Sequence, residues 1–251
     1  MPSAKEIQVK LIKKHAAAAI IQKYHYSGKA TQNSQLNFGV FINDKLEGAL
    51  QFGPPIDRRK LLPLVKGSKW GDMIELNRMA FGPLLPKFSE SRAIAVCMRI
   101  IKKQYSQIKW VVSFADGTQC GDGTIYRASG FVLTSINKNS TIARLPSGEI
   151  VAIHGTSKRD MSGAERLAGH QLRYIKFLDE SERQNLTVPI IPFEEIDKRN
   201  AGMYLGKKKS IKQRRAKKQE LESPSNLGGA IPTCTLQSIS SDDLCNHVTI
   251  D

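Results

Sequence analysis

The chain reads as a mixed α/β protein with one central sheet and flanking helices, followed by a basic C-terminal tail. Three observations predict this. Apolar runs of strand length alternate with runs of helix length along the first 155 residues. A hairpin signal sits early, where apolar strands flank Asn43-Asp44. From Lys198 to Gln219 the chain, KRNAGMYLGKKKSIKQRRAKKQ, holds no acidic residue, a composition that stays solvated rather than packing a core.

The elements follow in order. Residues 5–24 are expected to form one helix, with Ile7, Leu11, Ile12, Ile20 and Ile21 on one side. LNFGVFINDKLEGALQFG is a β-hairpin with a bulge expected at Gly48. MIELNRMAF, 73–81, is a strand of imperfect alternation. Ser89 is expected to cap a largely buried helix that runs to about Tyr105. IKWVVSFAD is a short buried strand. A glycine cluster, a short helix from Asp122 to Ser129 and the strand FVLTSI come next. A further strand pair, TIARL and EIVAI, turns at Pro146-Ser147-Gly148. The folded part is expected to end near 195, and residues 196–251 to form a basic, then Ser/Gly/Asp-rich, disordered tail.

The 251 residues carry a formal net charge of +15, which points to a polyanionic partner. No apolar run approaches the ~20 residues of a membrane-spanning helix. Cys97, Cys120, Cys234 and Cys245 form no C-x-x-C pair, so free thiols in a reducing compartment are expected rather than a disulfide framework or zinc site. Cys120, beside glycines, is a weak candidate nucleophile, since no histidine shares a motif with it. The five histidines show no paired ligand spacing.

Candidate functional residues cluster where elements end. Asp116 closes a strand just before the glycines; it either binds a reacting amine or simply shapes the turn. Tyr126 is either a hydroxyl that protonates a leaving group or an amphipathic packing residue. His25 and Tyr26 stand at a helix end marked by Ser27-Gly28. His25 answers either the helix dipole or a substrate, and Tyr26 is placed to stack on a base. Arg78 lies mid-strand on the face of Leu76 and Ala80, with Glu75 pointing the other way. A structural Glu75–Arg78 pair is therefore disfavoured, and Arg78 is expected to bind a phosphate or carboxylate.

This order of elements resembles the GNAT acetyltransferase-like fold. That resemblance implies an acyl donor wedged between two splayed central strands, its pyrophosphate at the start of the main helix. Here KFSESRA replaces the usual glycine-rich loop, leaving Ser89, Ser91 and Arg92 as donor-binding candidates. Tyr126 to Gly130-Phe131 is similar to the fourth-helix element of such enzymes. "YHYSGK" (24–29), "ELNRMAF" (75–81), "SESR" (89–92) and "FADGTQCGDGTIYRASGF" (114–131) together resemble the Mom family of phage DNA-modification proteins.

The resemblance implies an enzyme that converts adenine N6 in double-stranded DNA to an N6-carbamoylmethyl group and so protects phage DNA from restriction, in the cytoplasm of a bacterial host. It implies site residues His25, Tyr26, Arg78, Ser91, Asp116 and Tyr126, and leaves iron as a possible metal. The donor is either acetyl-CoA or glycyl-tRNA. Only a glycyl group supplies every atom of the product. Lys207, Lys208, Lys209, Lys212, Arg214, Arg215, Lys217 and Lys218 are expected to hold duplex phosphates. The competing readings are a GNAT N-acyltransferase for a small amine, protein or tRNA, and a non-catalytic nucleic-acid-binding protein.

Overall fold

The computed structural model describes residues 3–116, 122–153, 161–204 and 207–208. Eight strands form one sheet in the order β1-β2-β3-β4-β5-β8-β6-β7. They are β1 Gln8–Leu11, β2 Leu36–Ile42, β3 Lys45–Gly53, β4 Met73–Phe81, β5 Trp110–Asp116, β6 Val132–Arg144, β7 Ile150–Ala152 and β8 Glu165–Phe177. Every neighbouring pair is antiparallel except β4 with β5. That parallel pair joins only at Met73–Trp110, Ile74–Val111 and Glu75–Val112, and beyond it the two strands part. A mixed sheet whose central parallel pair splays is the arrangement expected above.

The hairpin forms as expected. Asn43 and Asp44 turn it with φ of 48° and 57°, the paired left-handed conformation whose twist suits a two-residue hairpin. Its bulge lies beside Gly48: Val40 faces Gly48, whereas Phe41 faces Leu46, leaving Glu47 as the extra residue.

The single helix expected over 5–24 does not form. A 3-10 turn at Ala4–Glu6 and strand β1 occupy its first half, and helix α1 spans Lys14–Tyr24. Ile7, Val9 and Leu11 alternate with Glu6, Gln8 and Lys10, and the free edge of β2 takes that period-two segment as a strand. FVLTSI and TIARL are one bulged strand, β6. β8, unanticipated, inserts between β5 and β6.

The helices are α2 Arg58–Leu61, α3 Ser89–Gln104, α4 Thr124–Ala128 and α5 Glu194–Lys198. On one face of the sheet α3 buries Ile94, Cys97, Met98 and Ile101 against Phe38, Leu50, Phe52, Leu76 and Val111. On the other face α1 packs Ala16, Ala17 and Ile21 on Phe41, Ala49 and Ala80. Beside it, Leu61, Leu64 and Val65 cover Met73, Trp110, Val112 and Ile175. The boundary drawn near 195 falls inside α5, and Ile196 and Ala201 are both in the core. Lys207 and Lys208 form β10, paired with β9 at Met203–Tyr204. Lys209, Lys212, Arg214, Arg215, Lys217 and Lys218 lie outside the described residues. Among the described residues no helix is long and apolar enough to cross a membrane.

Candidate active site

The site is organised by a bulge in β4. Gln51 faces Arg78 and Phe52 faces Leu76, so Asn77 is an extra residue. Because side chains alternate, one inserted residue reverses the faces beyond it. Arg78 therefore shares a face with Glu75 and Ala80, while Leu76 and Met79 face α3. This corrects the expected assignment of Arg78 to the face of Leu76, opposite Glu75. The two are in electrostatic contact: the Arg78 charge acts on Glu75, though it is not the dominant influence there. Burial lifts the Glu75 carboxyl to about 7, and an Asn77 hydrogen bond and the Arg78 charge only partly offset this. Sequence reasoning missed Glu75 as a site residue, because nothing in a single sequence marks Asn77 as a bulge.

His25 ends α1 on this same face. Its backbone N–H donates to Ile21 (2.9 Å), and Gly28, at φ 58°, turns the chain away. Ring Nδ1 accepts the Ser27 backbone N–H at 3.2 Å and lies 2.8 Å from Ser27 Oγ. Burial first, then the Arg78 charge, lowers the ring's pKa to about 4. The imidazole is thus neutral near pH 7, and with Nδ1 accepting, its proton sits on Nε2. Tyr26 is exposed, its ring 4.2 Å from that of His25. Arg78 Nη1 donates to the Asn77 carbonyl at 2.7 Å, while the buried Nε has no partner.

Asp116 is the last residue of β5, opposite Gln171. Val111 and Ala115 face α3, so strand alternation puts Asp116 on the opposite face, with Glu75 and Arg78. The turn beyond it, with Gly117, Cys120 and Gly121, lies outside the described residues.

Tyr126 comes from the other face. Its ring is buried between Tyr174 and Phe131, at centroid distances of 5.1 and 5.4 Å. Just past the last β4–β5 pair, Ser113 Oγ lies 3.0 Å from the Leu76 carbonyl and 2.8 Å from the Tyr126 hydroxyl. Ser113 has one proton and the carbonyl can only accept. Both contacts are made when Ser113 donates to Leu76 and Tyr126 donates to Ser113. A side chain thus bridges the strands where the backbone ladder stops. Asp122 Oδ1 accepts from the backbone and hydroxyl of Thr124 at the start of α4. At Gly123, with φ 68°, a Cβ would lie 2.6 Å from the Tyr174 ring.

Ser89 is not the cap of α3. Phe88 holds that position in the left-handed conformation, with no side-chain cap. The buried Ser89 hydroxyl donates to Pro86 (2.6 Å) and Ser91 donates to Phe88 (3.2 Å). Arg92 Nη2 donates to Lys5 (3.3 Å), and its Nε is buried without a partner. The hydroxyls thus turn back into the chain, the Ser89 amide donates to the Pro86 carbonyl at 3.2 Å, and no side chain caps the helix.

Among the described residues no group of three His, Cys, Asp or Glu is arranged to hold a metal. His25, beside the Arg78 charge, does not suit a resident cation, so these residues do not fit iron. Cys97 is fully buried, and burial raises its thiol pKa, which makes it a packing residue.

The GNAT family acetyltransferase of Elizabethkingia anophelis, solved with acetyl-CoA bound, is 12% identical and covers 68% of this chain and 98% of its own, at a TM-score of 0.38. A GNAT family acetyltransferase from Bacillus anthracis is also 12% identical, covering 70% and 97%, at 0.39. The methylcarbamoylase Mom of Escherichia phage Mu is 34% identical over 208 residues, 78% of this chain and 85% of that protein. The model of the Mom protein family matches residues 6–195. On that match and that identity, the chain belongs to the Mom protein family.

Proposed function

We propose that this protein is a transferase that modifies adenine N6 in double-stranded DNA, leaving a carbamoylmethyl group that shields the DNA from restriction. The observation that carries this reading is the 34% identity, across most of both chains, to a protein named methylcarbamoylase. The basic charge of +15 suits a DNA substrate.

In this reading Glu75 is the general base. A carboxyl with a pKa of about 7 is close to half ionised at neutral pH, as a catalyst of proton transfer should be. It takes the proton that N6 loses on attack. The adenine amine is a weak nucleophile because its lone pair is delocalised into the ring, so the acyl donor must be activated. Arg78, with its unpartnered Nε, holds the donor's carbonyl oxygen or a phosphate. Neutral His25 donates from Nε2 to a ring nitrogen of the base, Tyr26 stacks beside it, and Asp116 orients the amine. Tyr126, hydrogen-bonded to Ser113, positions the parted strands rather than protonating the leaving group. The first-turn amides of α3, with Lys87 and Arg92, hold a donor phosphate.

Acetyl transfer leaves the product one nitrogen short. A glycyl ester of tRNA balances: the N6–carbonyl bond forms, the ester bond breaks, and the tRNA hydroxyl leaves. The glycine amine then attacks C6 through a five-membered ring. The C6–N6 bond breaks, and N6 becomes the carboxamide nitrogen. DNA from cells expressing the wild type should yield an adenine nucleoside heavier by one carbamoylmethyl group, absent with Glu75→Gln and Asp116→Ala. Nitrogen-15 glycine should label the nitrogen on C6. Unmodified DNA from soluble wild type sinks the proposal, and a modified base without label sinks the glycyl donor.

A further inference from the structure

Between β3 and β4 the chain reads PPIDRRKLLPLVKGSKW, 54–70, with five basic residues and one acidic. The acidic one, Asp57, is neutralised by Lys60 at 2.8 Å. Ile56 is 104% exposed, a β-branched side chain standing wholly in solvent. It is held there firmly. Two prolines precede it, Pro55 is buried, and the Asp57 side chain that follows caps α2 by accepting from the Lys60 N–H. Trp70 is 59% exposed. The Arg58 guanidinium lies over its ring at 4.8 Å and donates to its backbone carbonyl at 2.9 Å, while more than half of the residue stays open to solvent. Ile56, Arg58 and Trp70 line one open cleft of about 430 Å³.

The cleft adjoins the candidate chemistry. Gly53, the last residue of β3, pairs with Glu75. A Cβ on Gly53 would lie 2.7 Å from the Asn33 carbonyl and 2.9 Å from Asn77 Oδ1. Asn33 also donates to the Pro54 carbonyl, at 3.3 Å. The loop after α1, the β4 bulge and the start of the ridge therefore meet at one residue. From Gly53 to Ile56 is about 10 Å of extended chain at most, a distance comparable to that from one base pair to its near neighbours.

We propose that this ridge is the surface that opens the DNA duplex: Ile56 enters the base stack beside the target adenine, Trp70 stacks an unpaired base, and Arg59, Lys66 and Lys69 hold the flanking phosphates. The proposal rests on the reading of this protein as a DNA-modifying enzyme. Enzymes that do chemistry on a base within a duplex commonly extract it, and an apolar wedge offsets the lost stacking. The charge selects a polyanion, and the wedge selects a paired stack over a flexible single strand.

The protein supplies its own reporter. It has two tryptophans, and Trp110 is fully buried. Titrating the full chain with duplex DNA should quench Trp70 emission. Trp70→Ala should weaken binding by about tenfold, as loss of one aromatic stacking platform does, and Trp70→Phe should bind like the wild type with the quench gone. Ile56→Ser should bind DNA but modify it poorly, and should modify DNA already mismatched at the target adenine at close to the wild-type rate. The melt of Ile56→Ser should be unchanged, since that side chain stands in solvent, and Trp70→Phe keeps a ring under Arg58. Absence of quenching, or a Trp70→Ala and Ile56→Ser pair that bind and modify like the wild type, overturns the proposal and leaves the enzymatic reading standing. Quenching by tRNA but not by duplex DNA also overturns it. Quenching with no modified adenine from any variant supports the ridge and counts against the enzymatic reading instead.

Discussion

The two faces of the sheet around the parting of β4 and β5 differ in how they use polar groups. On the α3 face the hydroxyls of Ser89, Ser113 and Tyr126 are buried and hydrogen-bonded within the protein. On the α1 face, Glu75 and His25 have pKa values moved in opposite directions, to about 7 and about 4, beside an arginine with an unused donor. Satisfied groups make structure, whereas groups displaced from their solution behaviour are poised to react. On the proposed reading, proton transfer belongs to the α1 face.

The sharpest break in this contrast is Glu75→Gln. It should slow adenine modification by about 10²–10⁴-fold, the usual span for a general base, measured by nucleoside mass spectrometry over time. It should also stabilise the fold. Glu75, raised to about 7, contributes stability while protonated; that contribution is complete below about 4.5 and lost as pH rises through 7. Glutamine removes this loss, so denaturant melts at pH 8 should show a gain of at most about 3 kcal/mol. His25 runs the other way: its contribution is complete above 6.5 and lost as pH falls through 4.

Next, Arg78→Ala should cost about 10- to 100-fold in modification, the range of a charged hydrogen bond. Because the Arg78 charge lowers both neighbours, the Glu75 midpoint should rise above 7. The His25 midpoint should climb part of the way towards 6.5, with burial keeping the rest. A His25 ring signal still titrating near 4 would show that Arg78 does not act on it. Tyr126→Phe should cost about 1 kcal/mol of stability for one buried hydrogen bond and less than about tenfold in rate. A loss as deep as that of Glu75→Gln would return proton transfer to the α3 face. Smallest of all, Ser91→Ala should leave modification within about twofold, because its hydroxyl serves only its own helix turn.

Local signals were legible in the sequence. The hairpin could be read because its turn residues and flanking strands are adjacent in the chain, and the buried face of α3 because its apolar residues recur at helical spacing. β1 was hidden since Ile7, Leu11 and Ile12 also satisfy a helical period; an available sheet edge decides between the two. β8 was hidden because its position depends on partners far off in the chain, Trp110–Asp116 and Val132–Arg144. His25, Arg78 and Asp116 were found at element ends and within motifs. The placing of Arg78 on the face of Glu75 required the Asn77 bulge, which is a property of the β3–β4 pairing and not of any residue type.

The short β4–β5 junction also bears on how the protein comes apart. In the sheet itself only three residue pairs and one serine hydroxyl join β4 to β5, and the two cores, Ile74 and Leu76 with Val111 on one face and Met73 with Trp110 and Val112 on the other, hold the junction closed. Past the Glu75–Val112 pair no ladder bond ties β4 to β5, so local opening starts at that end, where the site lies. A donor lodged between the parted strands would bridge them and act as mortar. Amide exchange along the unpaired ends of β4 and β5 should slow together once it binds.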